Sequence, residues 1–255
     1  MHLYAACWNE IGMIDFFFRH YDPWVERYVI FDDGSTDGSR ERLAEHPRVE
    51  LRTLERTHPD SLVLSLLDLY DNGWKASRGE ADWVIVVNLD EHLHHPDVGG
   101  YLASCRAAGV TAIPALGYQM VSETVPPPDA TLTEAVPLGV PWRNMSKLAL
   151  FDPDAIEEVN YAVGRHMAEP AGRVVYPERD ELLLLHFKCL GLDYVDGRHA
   201  EQRTRLGEVD RSQGYGHRYL FARSETEEWL SGLHGEAVEA LAATPREHAE
   251  PRWWR

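Results

Sequence analysis

Two short polar clusters carry residue types from which chemistry can be built. The first is Asp32-Asp33-Gly34-Ser35-Thr36-Asp37-Gly38-Ser39. Gly34 and Gly38 allow backbone conformations denied to other residues, and Ser35 or Asp37 can cap a following helix. That leaves Asp32 and Asp33 able to accept hydrogen bonds from a nucleobase N–H or from ribose hydroxyls; the competing reading is a plain capped turn. The second cluster is Asn88-Leu89-Asp90-Glu91. Residues two apart share a face in extended chain, so Asn88 and Asp90 can turn oxygens toward one ion. A few oxygen ligands completed by phosphates are the usual way to hold Mg²⁺ or Mn²⁺. Here the competing reading is a solvated turn.

The elements around these clusters are legible. His2–Cys7 is a short apolar run, and Ile11, Ile14, Phe17, Phe18 and Tyr21 recur at helical spacing before Pro23. Arg27–Asp32 and Val49–Leu54 read as strands, with a short helix over Arg40–Glu45 between them. Ser61–Ser77 has a helical pattern, and Trp83–Val87 is continuous and rich in β-branched residues, as a strand covered on both faces should be. Strands alternating with helices predict an α/β fold with a doubly wound, mostly parallel sheet. Such a sheet binds ligands at the carboxyl ends of its strands. Both clusters fall there, as does Trp8-Asn9-Glu10 after the first strand.

The second half is less regular. Pro96–Ala108 reads as helical and Val110–Ala115 as extended, with more strand expected at Tyr118–Val121, Ser146–Phe151 and Leu182–His186. Leu192–Leu206 and the stretch after Ser224-Glu-Thr-Glu227, a capping box, read as helices, giving a helical C-terminal region. Glu123–Pro141 holds Pro126-Pro-Pro128, Pro137, Gly139 and Pro141. It is long enough to suggest a functional loop rather than a simple connection.

Charge bounds the partners. The 255 residues carry a formal charge of −17, which argues against a broad grip on nucleic acid or anionic lipid. The imbalance is uneven: residues 1–100 hold 9 basic and 19 acidic groups, whereas residues 142–223 hold 12 and 13. Cys7, Cys105 and Cys189 are dispersed, which indicates neither a disulfide framework nor a thiolate metal site. No apolar run approaches the length of a membrane span, and no leader pattern opens the chain, so a cytoplasmic location with no integral membrane segment is expected.

Three stretches together resemble a known family. Tyr4-Ala-Ala-Cys-Trp-Asn-Glu10, Val29-Ile-Phe-Asp-Asp-Gly-Ser-Thr-Asp-Gly-Ser39 and Trp83-Val-Ile-Val-Val-Asn-Leu-Asp-Glu91 are similar, in order and spacing, to the nucleotide-sugar motifs of family-2 glycosyltransferases. Later blocks, Met145-Ser-Lys147, Val159–His166, Leu184–Lys188 and Gly214–Tyr219, are similar to a bacterial branch in which a glutamate follows the aspartate-rich motif. The resemblance implies the GT-A fold over residues 1–222, with 1–100 binding the nucleotide sugar and 101–222 completing the metal and acceptor sites. A C-terminal helix and tail follow from 223 to 255. It implies an inverting transfer from a UDP-, GDP- or dTDP-sugar to a small-molecule or glycan acceptor, assisted by Mn²⁺ or Mg²⁺. Glu10 and Asp33 would contact base or ribose, with Asn9 and Asp32 beside them, and Asp90 would bind the ion. The chain departs from the family at Asn88, which stands where an aspartate is usual; it offers a carbonyl oxygen without charge.

Other candidates complete the set. His186 ends an apolar run and is placed to be a further metal ligand, with His166 a second candidate; a hydrogen-bonded core histidine is the alternative for each. Lys147 and Lys188, two of only three lysines, can neutralise a departing diphosphate or simply be solvated charges. Inversion needs a carboxylate base on the acceptor face, and Glu123, Glu134 and Glu91 are the candidates. The run His92-Leu-His-His-Pro96 lacks the i, i+4 spacing of a helical zinc site, and Pro96 suggests a loop. A sugar-phosphate nucleotidyltransferase and a catalytically silent nucleotide-sugar-binding protein remain as other readings.

Overall fold

The computed structural model describes residues 1–242, 248 and 252–255. Its first half alternates as expected: β1 (His2–Cys7), α1 (Ile11–Tyr21), β2 (Arg27–Asp32), α2 (Ser39–Ala44), β3 (Val49–Thr53), α3 (Leu62–Asn72) and β4 (Val84–Val86). Helix α1 forms because its apolar residues recur on one face; Met13, Ile14, Phe17 and Tyr21 are buried against the sheet. Ser61 caps α3, its hydroxyl accepting from the Leu64 N–H at 3.1 Å.

Next come β5 (Glu91–His94), α4 (Val98–Ala107), β6 (Ala112–Pro114), β7 (Leu116–Ser122), α5 (Leu132–Ala135), β8 (Leu138–Pro141) and β9 (Leu148–Phe151). The small ribbon of β10 (Ile156–Glu158) and β11 (Ala171–Gly172) precedes β12 (Leu183–Leu190), α6 (Leu192–Arg205), α7 (Glu208–Ser212), α8 (Arg223–Glu236) and β13 (Val238–Glu239). The main sheet runs β3-β2-β1-β4-β9-β6. Its first four strands are parallel, and β9 is antiparallel to both neighbours. This is the α/β class predicted, with its parallel part in residues 1–86.

The second half adds a sheet of order β13-β8-β7-β12-β5. Strand β5 lies in the histidine run that the sequence suggested was a loop. It is a strand because its side chains have partners: His92 is buried, stacked on His20 with centroids 4.4 Å apart and beside Phe187. No group of metal-binding residues forms there among the described residues. The proline-rich stretch is also more ordered than expected, containing α5 and ending in β8. The last helix starts at Arg223, and the glutamate that caps it is Glu225, which accepts from the Ala222 N–H at 2.7 Å, rather than Glu227. Strand β13 joins this end of the chain to the second sheet through Val238 and Gly139. Among the described residues no helix is long and apolar enough to cross a membrane.

Candidate functional site

A cavity of about 510 Å³ opens where the carboxyl ends of β1 and β4 meet β12, α3 and α6, a size usual for small-molecule sites. Its wall includes Trp8, Glu10, Asn88, Asp90, Glu91, Lys147, His186 and Lys188. Register explains how residues so distant in sequence meet. Strand β12 pairs antiparallel with β5 so that His186 faces Glu91, which sets the His186 ring beside Asp90.

The Asp90 Oδ2 and His186 Nε2 atoms are 3.2 Å apart. Gln119 fixes the imidazole: its amide N–H donates to the His186 carbonyl at 3.1 Å, so its Oε1 faces His186 Nδ1 at 2.8 Å. Nδ1 must therefore carry a proton, and in the neutral ring the Nε2 lone pair points at the Asp90 carboxylate. Two electron-pair donors facing each other require a cation between or on them. Burial raises the Asp90 carboxyl, but a positive charge on the His186 side of the pair and its hydrogen bond overcome this and leave it below its ordinary value. An N and an O each about 2.1 Å from one ion and roughly at right angles would be about 3.0 Å apart, so the pair fits Mn²⁺ or Mg²⁺. An outer partner that fixes the imidazole tautomer is typical of metal-binding histidines. An ion held by these two residues would take its remaining ligands from water and substrate oxygens.

Glu91 is 0% exposed. Lys147 Nζ donates to its Oε1 and Arg165 Nη2 to its Oε2, each at 2.6 Å, while the Asn88 N–H donates to Oε2 at 3.0 Å. Burial alone would raise this carboxyl, yet Arg165 and Lys147 hold it far below the ordinary range. Burial lowers Lys147 to about 8 against the pull of Glu91. Arg165 also donates to the Val86 carbonyl at 2.6 Å and lies 4.5 Å from the Tyr70 ring. This clamp fixes the turn that presents Asp90.

A third cluster joins α6 to the first two strands. Arg198 is paired with Glu10 and bonds the Trp8 and Asn9 carbonyls. Arg205 is paired with Asp33, which also takes two bonds from Arg56 at 2.8 and 2.6 Å, and its guanidinium lies 4.3 Å from the Trp8 ring. Burial lifts the Glu10 carboxyl to about 8 despite Arg198. Burial likewise pushes Asp33 up, but Arg56 and Arg205 bring it below its usual value. Arginines 198 and 205 are seven apart, two helical turns, and so share one face. Gly191 launches α6 at φ +91, where a Cβ would stand 2.6 Å from the Glu123 carbonyl oxygen; only glycine fits this turn.

No known protein-family profile matches the chain, and no curated protein sequence matches it. Solved structures with partial likeness do exist. S. aureus TarS shares 14% identity over 60% of this chain and 28% of its own length, TM-score 0.38. A structure of TarS 1-349 in complex with UDP-GlcNAc shares 9% identity over 91% and 70%, TM-score 0.37. Glucosyl-3-phosphoglycerate synthase from Mycobacterium tuberculosis, in complex with Mn²⁺, UDP and glucosyl-3-phosphoglycerate, shares 18% over 46% and 43%, TM-score 0.30. The chain thus spans less than half the length of TarS and of the synthase. At these values the likeness assigns neither family nor substrate.

Several expected residues have partners within the protein. Asp32 is fully buried and spends its carboxylate on the Gly34 and Ser35 N–H groups and on Arg40. Asn9, at φ +52, accepts from the Thr36 N–H at 2.8 Å and ties the first two loops together. The Asn88 carbonyl oxygen, the atom expected at a metal, accepts from the Tyr70 hydroxyl at 2.6 Å, which leaves it one further lone pair. His166 faces the Asn144 carbonyl. None of the three glutamates is placed as a free base. Glu91 is clamped, and Glu123 and Glu134 are exposed and do not line the cavity. Glu123 is 88% exposed, with His234 Nε2 3.8 Å from its Oε1.

Gln119, Arg165, Arg198 and Arg205 were not singled out by sequence. The i, i+7 arginines of α6 within the near-neutral segment are the signal that could have found the last two.

Proposed function

We propose that this chain is a glycosyltransferase that takes a sugar from a nucleotide-diphosphate sugar, with inversion and with help from Mn²⁺ or Mg²⁺. The observation that carries the reading is the Asp90–His186 pair, its tautomer set by Gln119, in the wall of a cavity that also holds Trp8, Glu10 and Lys188. The order of sequence motifs that resemble family-2 enzymes supports it independently. When bound between Asp90 and His186, the ion would neutralise the donor's diphosphate and the charge that develops as it leaves.

The chain's own residues would do the rest. Asp90 and His186 hold the ion, and Glu91 with Lys147 and Arg165 keeps the Asp90 turn in place. Lys188, whose Nζ donates to the Tyr219 hydroxyl at 3.3 Å and meets no carboxylate within ion-pair distance among the described residues, offers a positive charge to the leaving phosphate. Trp8 and Arg205 make a flat wall suited to a base. Glu10, paired with Arg198, can accept from a ribose hydroxyl.

A specific observation favours a second reading. With Asn88 bonded to Tyr70, Glu91 clamped, and Glu123 and Glu134 outside the cavity wall, the chain can bind a nucleotide sugar without transferring it. UDP release from UDP-glucose and UDP-N-acetylglucosamine, with Mn²⁺ and with a chelator, separates the two. Turnover that needs the metal and falls about 100-fold or more in Asp90→Ala supports transfer. An unchanged rate in that variant sinks the metal assignment, and tight UDP binding with no turnover selects the silent reading.

A further inference from the structure

Pairing off the charges of the cavity wall leaves a remainder. Glu10 is met by Arg198, Glu91 by Lys147 and Arg165, and Asp90 by His186. Asp33, close by, is met by Arg205. Two cations of the wall have no carboxylate within ion-pair distance among the described residues: Lys188 and Arg218. They differ in setting. Lys188 is close enough to Asp90 to help hold that carboxyl in its ionised form, so it belongs with the ion and the diphosphate. Arg218 is held elsewhere, in the angle between two indoles.

Its guanidinium carbon is 4.4 Å from the Trp142 ring and 5.0 Å from the Trp229 ring. The two rings are 6.4 Å apart with planes inclined at 71°. His199, buried on α6, stacks on Trp229 at 6.1 Å and backs it. Among the described residues the guanidinium donates to no acceptor, whereas Arg165, Arg198 and Arg205 are each committed to a carboxylate. Two aromatic faces fix a guanidinium by cation–π attraction while leaving its N–H edge free. An arginine held this way, half-buried in a cavity and lacking an acceptor, is prepared for a planar or tetrahedral oxyanion that arrives with a ligand. Trp142 directly follows β8, at the end of the proline-rich stretch.

We infer that Trp142, Arg218 and Trp229 form the acceptor subsite, and that the acceptor is a hydroxylated molecule carrying a carboxylate or phosphate, which Arg218 binds. This rests on the glycosyltransferase reading for the word acceptor, but the anion site itself does not depend on it. A neutral glycan would leave the half-buried guanidinium without the charged acceptor its free N–H edge is shaped for.

The test uses the full chain and titrates glucose 6-phosphate, glucuronate and glucose, followed by tryptophan fluorescence, with UDP and Mn²⁺ present and again without them. UDP binding is measured separately by calorimetry. Expected is binding of at least one of the two anions, no measurable binding of glucose at the same concentrations, and a loss of about tenfold or more in Arg218→Gln. UDP affinity should stay within about twofold in that variant. Arg218→Lys, which keeps the charge but loses the fork, should fall between the two and serves if the glutamine variant does not fold. Binding of glucuronate alone identifies a carboxylate site, and binding of glucose 6-phosphate alone a phosphate site; either supports the assignment. It is overturned if neither anion binds, if Arg218→Gln leaves anion binding unchanged, or if that variant weakens UDP as much as the anion, which would place Arg218 at the donor. Absence of UDP binding to the wild-type chain, with anion binding intact, overturns the donor reading and leaves the anion site standing.

Discussion

Residues 1–100 and residues 142–223 meet in one cavity with opposite endowments. The first region supplies Glu10, Asp90 and Glu91 to its wall and Asp33 beside it, all at or just beyond the ends of strands in the first half. The second supplies Lys147, Arg165, His186, Arg198 and Arg205, and each of them is spent on one of those carboxylates. A chain of charge −17 thereby makes a pocket that a dianionic diphosphate can approach. The lesson is that net charge describes the surface, whereas the site is set by pairs assembled across the fold. The two regions also differ in how they hold their groups. The carboxylates sit on turns fixed by backbone bonds, and the cations ride on α6, β12 and loops that need the second sheet and helix to be placed.

The largest predicted effect comes from breaking the most buried of these meetings. Glu91→Gln leaves Lys147 and Arg165, 4% and 2% exposed, without their shared counter-charge. Loss of one member of a buried ion cluster costs about 3–5 kcal/mol, to be read as a lowered midpoint in urea unfolding. The same group sets an acid limit. Because its folded-state pKa lies below the ordinary 4.5, the stability it contributes is fully present above about pH 4.5 and is lost as pH falls below that. Thermal melts between pH 6 and 3 should show this loss in the wild-type chain and a smaller one in Glu91→Gln. Equal slopes would show that the clamp is not the group that titrates.

The parallel half was legible because its signals are local. A buried β-branched run such as Trp83–Val87 and a glycine-rich turn such as Gly34–Gly38 each specify their own conformation, and the carboxylates follow directly. Strand β5 was not, because its register depends on partners, His20, Phe187 and β12, that lie far along the chain. The same holds for the roles of Asn88 and Glu91. Their types suggested ligand and base, but Tyr70, Lys147 and Arg165 decide what each can do, and nothing in the local sequence names those partners. The identity of His186 as the partner of Asp90 was reachable from its place at the end of an apolar run; the tautomer was not, since Gln119 fixes it from another strand.

That tautomer gives the second way to sharpen the comparison. Gln119→Leu preserves the bulk of the side chain, removes both of its bonds to His186 and frees the ring to flip. Mn²⁺ affinity, measured by calorimetry in the presence of UDP, should weaken by about 10- to 100-fold. Gln119→Glu should restore most of it, because a carboxylate also accepts from Nδ1–H. If the leucine variant binds Mn²⁺ as well as the wild type, the Asp90–His186 pair is an ordinary ion pair and the cation between them is a proton.

The smallest effect belongs to the junction of α6 with β2. Asp33 is shared by Arg205 and Arg56, which are 10% and 33% exposed, so neither arginine is indispensable to its charge. Coupling between contacting, partly buried groups is about 0.5–3 kcal/mol, and sharing should keep this pair near the lower end. A double-mutant cycle of Asp33→Asn and Arg205→Gln, read by urea unfolding, is expected to give about 1 kcal/mol. The same cycle read by UDP affinity discriminates further. If α6 only braces the fold, the coupling is the same with and without UDP. If Asp33 turns from Arg205 toward a ribose when nucleotide enters, the coupling shrinks in the complex and Arg205→Gln binds UDP at least as well as the wild type. A coupling that grows with UDP would instead mean that the cationic region grips the nucleotide directly, and the division between the two regions would be less strict than the pairing suggests.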